Sequence, residues 1–241
     1  MSTKNQMPWL DVQLTKKEMN YLWDSINSKE KTPARESSAA NISRTYFIKD
    51  TNNKFFNSAL QNPSEALYFR SWENFSNVHV TKVNPPPIFH IEDLWVNYQK
   101  KHEFNPPHRH KGMYSFVVFM KIPTHWKEQH ELPIKRVSNI PCASDFQFIL
   151  GVSAQGLINT FNIPLNPEDE GRMLFFPSWL THQVFPFYGT EEERVTISGN
   201  IISDTYSTDE DQIIELENTI KHLQTQRAKL VDCLDHPQKK S

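Results

Sequence analysis

From residue 94 to residue 202 the chain is written in a period of two. Residues 94–99, 114–122, 146–150, 157–163, 173–176, 182–187 and 194–202 are short runs rich in aromatic and β-branched side chains, and Pro, Gly, Asn or charged residues separate them. No helical spacing survives between the runs, so they must bury their apolar faces by pairing with one another. Seven such strands predict a mainly β domain, an antiparallel sandwich or jelly roll, and not a parallel sheet, which needs a helix between successive strands. Six Gly against 16 Pro, with 12% aromatic residues, suit a stiff chain whose loops are fixed by proline.

The flanks read differently. Thr15-Lys16-Lys17-Glu18 is a capping box, and Met19, Leu22, Trp23 and Ile26 follow it on one helical face. Residues 27–41 carry almost no large apolar side chains and read as an exposed loop, and a second short helix is expected over 55–60. Residues 1–89 are therefore expected to be a helical or irregular support region of the same domain, with the barrel at 90–202. Ser207-Thr208-Asp209-Glu210 opens a C-terminal amphipathic helix over 207–236, with Ile213, Leu216, Ile220, Leu223, Leu230 and Leu234 in a stripe that Pro237 ends. Packing against the barrel is the simpler role for that stripe, and a homodimer through it is the alternative.

In a chain of 241 residues with a net charge of −2, no basic face stands out of the totals to argue for nucleic acid or an acidic membrane surface. No apolar run of about 18 residues and no charged-then-apolar leader stands out, and the two cysteines, Cys142 and Cys233, lie far apart. These features predict a protein of a reducing, cytoplasmic compartment whose partner is a small molecule or a peptide.

The chemistry gathers in three segments. Asn105-Pro106-Pro107-His108-Arg109-His110 runs toward the strand that begins at Tyr114, and on an extended backbone His108 and His110 share a face while Arg109 points the other way. Two such imidazoles suit one metal ion, although His-x-His by itself is weak evidence. Phe175-Phe176-Pro177-Ser178-Trp179-Leu180-Thr181-His182 supplies a third histidine from a distant strand. On the last strand Arg194, Thr196, Ser198 and Asn200 share one face, and buried polar groups there need partners. A guanidinium beside a hydroxyl is shaped to hold a carboxylate, and a dicarboxylate bound to the metal at its other end would supply one.

Together these segments resemble the 2-oxoglutarate/iron(II) oxygenases of the prolyl-4-hydroxylase-like superfamily, and they are similar to a branch common in marine bacteriophages. The resemblance covers roughly residues 90–202. It implies a double-stranded β-helix, a cupin-like jelly-roll barrel, that uses iron(II), 2-oxoglutarate and dioxygen, with ascorbate as an auxiliary reductant. It further implies His108, His110 and His182 as metal ligands and Arg194 as the grip on the far carboxylate of 2-oxoglutarate, with Thr196 and Asn200 on the same face. Tyr114 or Ser115 is a candidate hydrogen-bond donor to the co-substrate, with core packing of Tyr114 as the competing reading. The implied reaction is oxidative decarboxylation of 2-oxoglutarate to succinate with hydroxylation of a substrate such as a prolyl or other peptidyl side chain, in the cytoplasm of a bacterial host if the chain is phage-encoded.

The departure from the family pattern is His110, where His-x-Asp is usual. A three-histidine site is the preferred reading. A carboxylate from Asp145 or Glu103, or a site that omits His110, competes with it. A three-histidine cupin-like dioxygenase that uses no 2-oxoglutarate is the alternative enzyme, and a non-catalytic jelly-roll module is the alternative outside enzymes. His79, His90, His102, His125, His130, His222 and His236 have no strand-mate at ligand spacing and are expected to be structural or surface groups.

Overall fold

The strand Tyr114–Lys121 is apolar at nearly every position, and all of its residues but the last are buried. Such a strand has no solvent face, so both of its sides must be covered. The computed structural model, which describes residues 7–34, 40–70, 87–134, 139, 141–153 and 155–204, shows what covers them. In chain order its strands are β1 (Leu10–Gln13), β2 (Thr32–Pro33), β3 (Arg44–Phe47), β4 (Phe89–Gln99), β5 (Asn105–His108) and β6 (Tyr114–Lys121), followed by β7 (Phe146–Val152), β8 (Ile158–Ile163), β9 (Arg172–Pro177), β10 (His182–Val184) and β11 (Arg194–Ser203). The α-helices are α1 (Lys16–Asn27), α2 (Gln61–Phe69) and α3 (Trp126–His130).

Two antiparallel sheets form the barrel, one of seven strands in the order β1-β9-β6-β11-β4-β3-β2 and one of four in the order β5-β10-β7-β8. Phe116, Val118 and Met120 of β6 join Val96 of β4 and Ile197 of β11 against Leu22 and Ile26 of α1 and Leu67 of α2. The alternate side chains Val117 and Phe119 meet Phe146 and Phe148 of β7 and Phe176 of β9 between the sheets. Each fully buried side chain of this size contributes about 1.5–3 kcal/mol, so the strand is held from both sides.

The fold is the mainly β, two-sheet barrel that the periodicity predicts, and the N-terminal helix begins at its capping box. There the Thr15 amide donates to Glu18 at 2.7 Å, and the Glu18 amide returns a bond to Thr15 Oγ1 at 3.3 Å. The N-terminal region, however, is more than helical or irregular support. It builds both edges of the large sheet, since β1 pairs with β9 and β3 pairs with β4, and β2 lies within the segment expected to be a loop. These strands have four residues or fewer, and their partners lie far along the chain, so no local period announces them. The second helix also runs past its expected end. A wider π-type turn over Phe56–Leu60 leads into α2, which continues through Pro63. Pro63 has no amide proton to give an ordinary α-turn, and the wide turn ends at Leu60, three positions before it.

Two features matter for the site. β5 is an edge strand in spite of Pro106 and Pro107, because an edge leaves one side of the backbone unpaired and tolerates a residue without N–H. On β11 and β4 the register sets Arg194 opposite Gln99, Thr196 opposite Asn97 and Asn200 opposite Asp93, so one polar face lines the space between the sheets. Among the described residues no helix is long and apolar enough to cross a membrane. The expected helix over 207–236 lies outside the described residues.

Candidate metal centre

β5 and β10 pair so that His108 stands directly opposite His182. His110 lies two residues beyond His108, and its amide donates to the carbonyl of Ser178, in the turn before β10, at 2.9 Å. The His108 ring centroid is 4.2 Å from that of His182 and 4.9 Å from that of His110, and the His110 and His182 centroids are 5.1 Å apart. One ligand nitrogen from each residue lies within 4.8 Å of the other two, close enough to converge on one divalent ion.

Two backbone carbonyls set the tautomers. His108 Nδ1 donates to Pro106 O at 2.7 Å and His182 Nδ1 donates to Leu180 O at 3.0 Å. Each Nε2 is thereby left as the unprotonated nitrogen, the form a metal binds. Burial lowers all three pKa values, that of His110 to about 3 with the nearby His108 adding to the effect, and that of His182 well below the ordinary 6.5. The rings of Phe146 and Phe176 pack against His182 at 5.4 and 4.8 Å, and Trp95 lies 5.6 Å from His110.

No carboxylate among the described residues joins the three histidines. Asp145 accepts from His130 Nε2 at 2.9 Å and from Asn162 Nδ2 at 3.2 Å, so His130 is the partner of a buried carboxylate and not a surface group. Burial raises the Asp145 pKa, and His130 pulls it back. Glu103 closes its own turn by accepting from the amides of Lys100 and Ser43 at 2.9 and 3.0 Å.

Arg194, the first residue of β11, is 1% exposed. Its Nη2 donates to the carbonyl of Ser144 at 2.8 Å and to the Ser144 hydroxyl, its Nη1 reaches Gln99 Oε1 at 3.4 Å, and Phe187 lies 5.2 Å below the guanidinium. Burial lowers its pKa to about 10, opposed by Asp145, so the group stays charged at neutral pH. The neighbouring Glu191, Glu192 and Glu193 pair with Lys101, Lys121 and Arg44 and leave Arg194 alone. Its Nε, buried, has no hydrogen-bond partner. A cavity of about 40 Å³ joins the three histidines to Arg194, Thr196 and Ser198. A buried guanidinium with an orphaned N–H is costly unless an acceptor arrives, and a carboxylate is the acceptor its fork fits.

Other expected residues fall elsewhere. Tyr114 points to the helix side of the sheet, with its ring 5.9 Å from Phe89 and 5.4 Å from Phe175, because the even-numbered side chains of β6 face the helices. Ser115, one residue on, faces inward, but its hydroxyl donates to Asn200 Oδ1 at 3.0 Å. Asn200 lines a neighbouring cavity that also contains His108 and His110. Two residues join the site that sequence reasoning missed. Ser144, held at φ 72°, offers Arg194 both its carbonyl and its hydroxyl. Asn105 sets its Nδ2 3.3 Å from His108 Nε2 and keeps a buried, unpartnered Oδ1. Asn105 opens the Asn-Pro-Pro-His segment, and that proximity to His108 is the signal that could have found it.

The chain is similar to a solved Pseudomonas putida prolyl-4-hydroxylase, at 16% identity over 81% of this chain and 92% of that one with a TM-score of 0.46. The non-haem alpha-ketoglutarate-dependent epimerase SnoN from nogalamycin biosynthesis is similar at 12% identity over 81% of this chain and 76% of that one, with a TM-score of 0.50. HygX from Streptomyces hygroscopicus, solved with nickel, 2-oxoglutarate and hygromycin B bound, is similar at 9% identity over 83% and 84% of the two chains, with a TM-score of 0.49. At 12% identity the likeness to SnoN is one of fold alone. No curated protein matches the sequence. Residues 93–200 match the family described as "Putative 2OG-Fe(II) oxygenase". That stretch contains His108, His110, His182 and Arg194, and it is this part of the chain that is similar to the 2-oxoglutarate/iron(II) oxygenases.

Proposed function

We propose that the chain couples oxidative decarboxylation of 2-oxoglutarate, which yields succinate and carbon dioxide, to hydroxylation of a C–H bond in a second substrate. His108, His110 and His182 hold iron(II), and Arg194 grips the far carboxylate of 2-oxoglutarate with the Thr196 hydroxyl beside it. The observation that carries this reading is the orphaned Nε of a fully buried arginine, in a cavity that reaches the three histidines. Iron(II) bound there with 2-oxoglutarate would activate dioxygen, the oxidant, whose two oxygen atoms end in succinate and in the hydroxylated substrate. The protein's own contribution is orientation and dryness. The carbonyls of Pro106 and Leu180 fix two imidazoles, Ser144 and Gln99 hold the guanidinium, and Phe146 and Phe176 keep water from His182.

The three-histidine set without a carboxylate favours one competitor, a dioxygenase that binds its organic substrate directly on the metal and uses no 2-oxoglutarate. One assay separates them. Protein supplied with iron(II), dioxygen and 2-oxoglutarate should release succinate at a rate that saturates with 2-oxoglutarate and disappears when iron is chelated. No succinate from iron-loaded, folded protein would hand the site to the competitor.

A further inference from the structure

A second cavity, of about 160 Å³, shares His108, His110, Trp95, Asn97 and Asn105 with the first but contains neither Arg194 nor His182. Its further polar lining includes Asp93, Arg109 and Asn200. The fold places them there for a simple reason: Asp93 and Asn97 lie on the inward face of β4, and β11 sets Asn200 opposite Asp93.

Asn97 and Asn200 are each 7% exposed. The Thr45 hydroxyl donates to Asn97 Oδ1 at 3.0 Å, and the Ser115 hydroxyl donates to Asn200 Oδ1 at 3.0 Å. Both hydroxyls thus occupy the amide oxygen and leave the amide nitrogen, a double donor, without a partner among the described residues. Arg109, which strand alternation would turn away from the histidines, lines the same cavity and has no ion pair among the described residues. These three groups ask for an anion. Asp93 asks for the opposite, since its carboxylate lines the cavity without a hydrogen bond or ion pair among the described residues. Phe47 and Trp95 supply apolar wall beside the charged groups.

We infer that this cavity binds a small zwitterion of the α-amino-acid type, its ammonium on Asp93 and its carboxylate on the amides of Asn97 and Asn200 and the guanidinium of Arg109. Arg109 is exposed and Asp93 half-buried, so water solvates them in the empty cavity; a purely anionic guest would displace water from Asp93 without replacing its hydrogen bonds, and a purely cationic one would do the same to the three donors. The volume is below the roughly 300–1,000 Å³ of pockets for drug-sized molecules, so the guest is compact. A residue inside a peptide carries neither backbone charge, so the inference selects a free amino acid over a peptidyl side chain. That this guest is the molecule oxidised rests on the proposed function, whereas its binding does not.

The test uses the full chain loaded with Mn(II), without oxygen. Each of the twenty free L-amino acids is compared with its N-acetyl and carboxamide derivatives, with affinity from calorimetry and proximity to the metal from relaxation of the ligand's proton signals. At least one free amino acid should bind and be relaxed by Mn(II), with both of its blocked derivatives at least tenfold weaker. Asp93→Asn should erase the preference for the free amine, and Arg109→Met should reduce the preference for the free carboxylate. The inference fails if no free amino acid binds, if a blocked derivative binds as tightly as its parent, or if Asp93→Asn keeps the amine preference. Should a variant not fold, the derivative series on the unmodified protein decides alone. Protein that binds a free amino acid but not 2-oxoglutarate would sink the oxygenase reading and leave this one standing, and the reverse result would do the opposite.

Discussion

On β4 and β11 the side turned to the helices carries Leu94, Val96, Val195 and Ile197, whereas the side turned to the second sheet carries Asn97, Gln99, Arg194, Thr196 and Ser198. A few ångströms along the same interlayer space, β6, β7 and β9 fill it with Phe119, Phe146, Phe148 and Phe176. One half of that space is packed as a core and the other is left polar, partly unsatisfied and hollow. Apolar contact stabilises the first half, while buried amides and a guanidinium at best break even in the second. A sheet built for stability alone would carry valine where β11 carries Arg194 and Thr196, and the polar half is where the proposed ligands would find partners.

The contrast breaks first, if it breaks, at Phe148. This residue is fully buried, with its ring 4.4 Å from Trp9 and 5.1 Å from Phe176. Phe148→Ala should cost about 3–5 kcal/mol in urea unfolding of the metal-free protein. Thr196→Ala and Ser198→Ala across the same gap should cost less than about 1 kcal/mol. Equal losses would mean that the polar half is structural after all.

Metal binding sharpens the contrast from the other side. Groups that merely support a ligand are worth roughly 10–100-fold in metal affinity. His182→Ala should therefore weaken Fe(II) or Mn(II) binding by at least about 100-fold and bring succinate formation to background. Calorimetric titration with Mn(II) reads this directly, and near-normal affinity would remove His182 from the ligand set.

A smaller effect is expected at Arg194. Arg194→Met should raise the 2-oxoglutarate concentration for half-maximal succinate formation at least tenfold, because loss of a charge-assisted contact costs about 1.5–3 kcal/mol. Mn(II) affinity should stay within twofold, and the stability of the metal-free protein should change by less than about 1 kcal/mol. An unaltered 2-oxoglutarate dependence would assign the arginine to structure.

The smallest effect is a slope with pH. His108, His110 and His182 all have lowered pKa values in the fold, so between the unfolded and folded values the unfolded chain binds more protons. Their contribution to metal-free stability is complete above about 6.5 and is lost as the pH falls from there, for His110 toward about 3. His110→Gln should flatten that slope between pH 6 and 4 in denaturant titrations. An unchanged slope would mean that His110 is solvated and free to protonate.

Much of this was legible in the residues. The seven central runs give the strands because a period of two has only one way to bury an apolar face, and each of them overlaps a strand of the barrel, although the run 182–187 is strand only over His182–Val184. His108, His110, His182 and Arg194 stood out because imidazole and guanidinium are out of place in such runs, and the structure brings all four to one cavity. The same periodicity left Tyr114 open between the co-substrate and the core, since β6 is buried on both sides and its sequence does not say which face meets the helices.

By itself, then, the sequence determined the class of fold, the helix start at Thr15 and the identity of the side chains that could hold a metal, because each depends on neighbours within a few positions. Only the tertiary structure decided that β1 and β3 close the large sheet, that His130 belongs to Asp145, and that Ser144 holds Arg194. It alone set Asp93 and Arg109 around one cavity beside the histidines. Those pairings join residues far apart in the chain. Their energies depend on what burial brings together, and no local pattern encodes that.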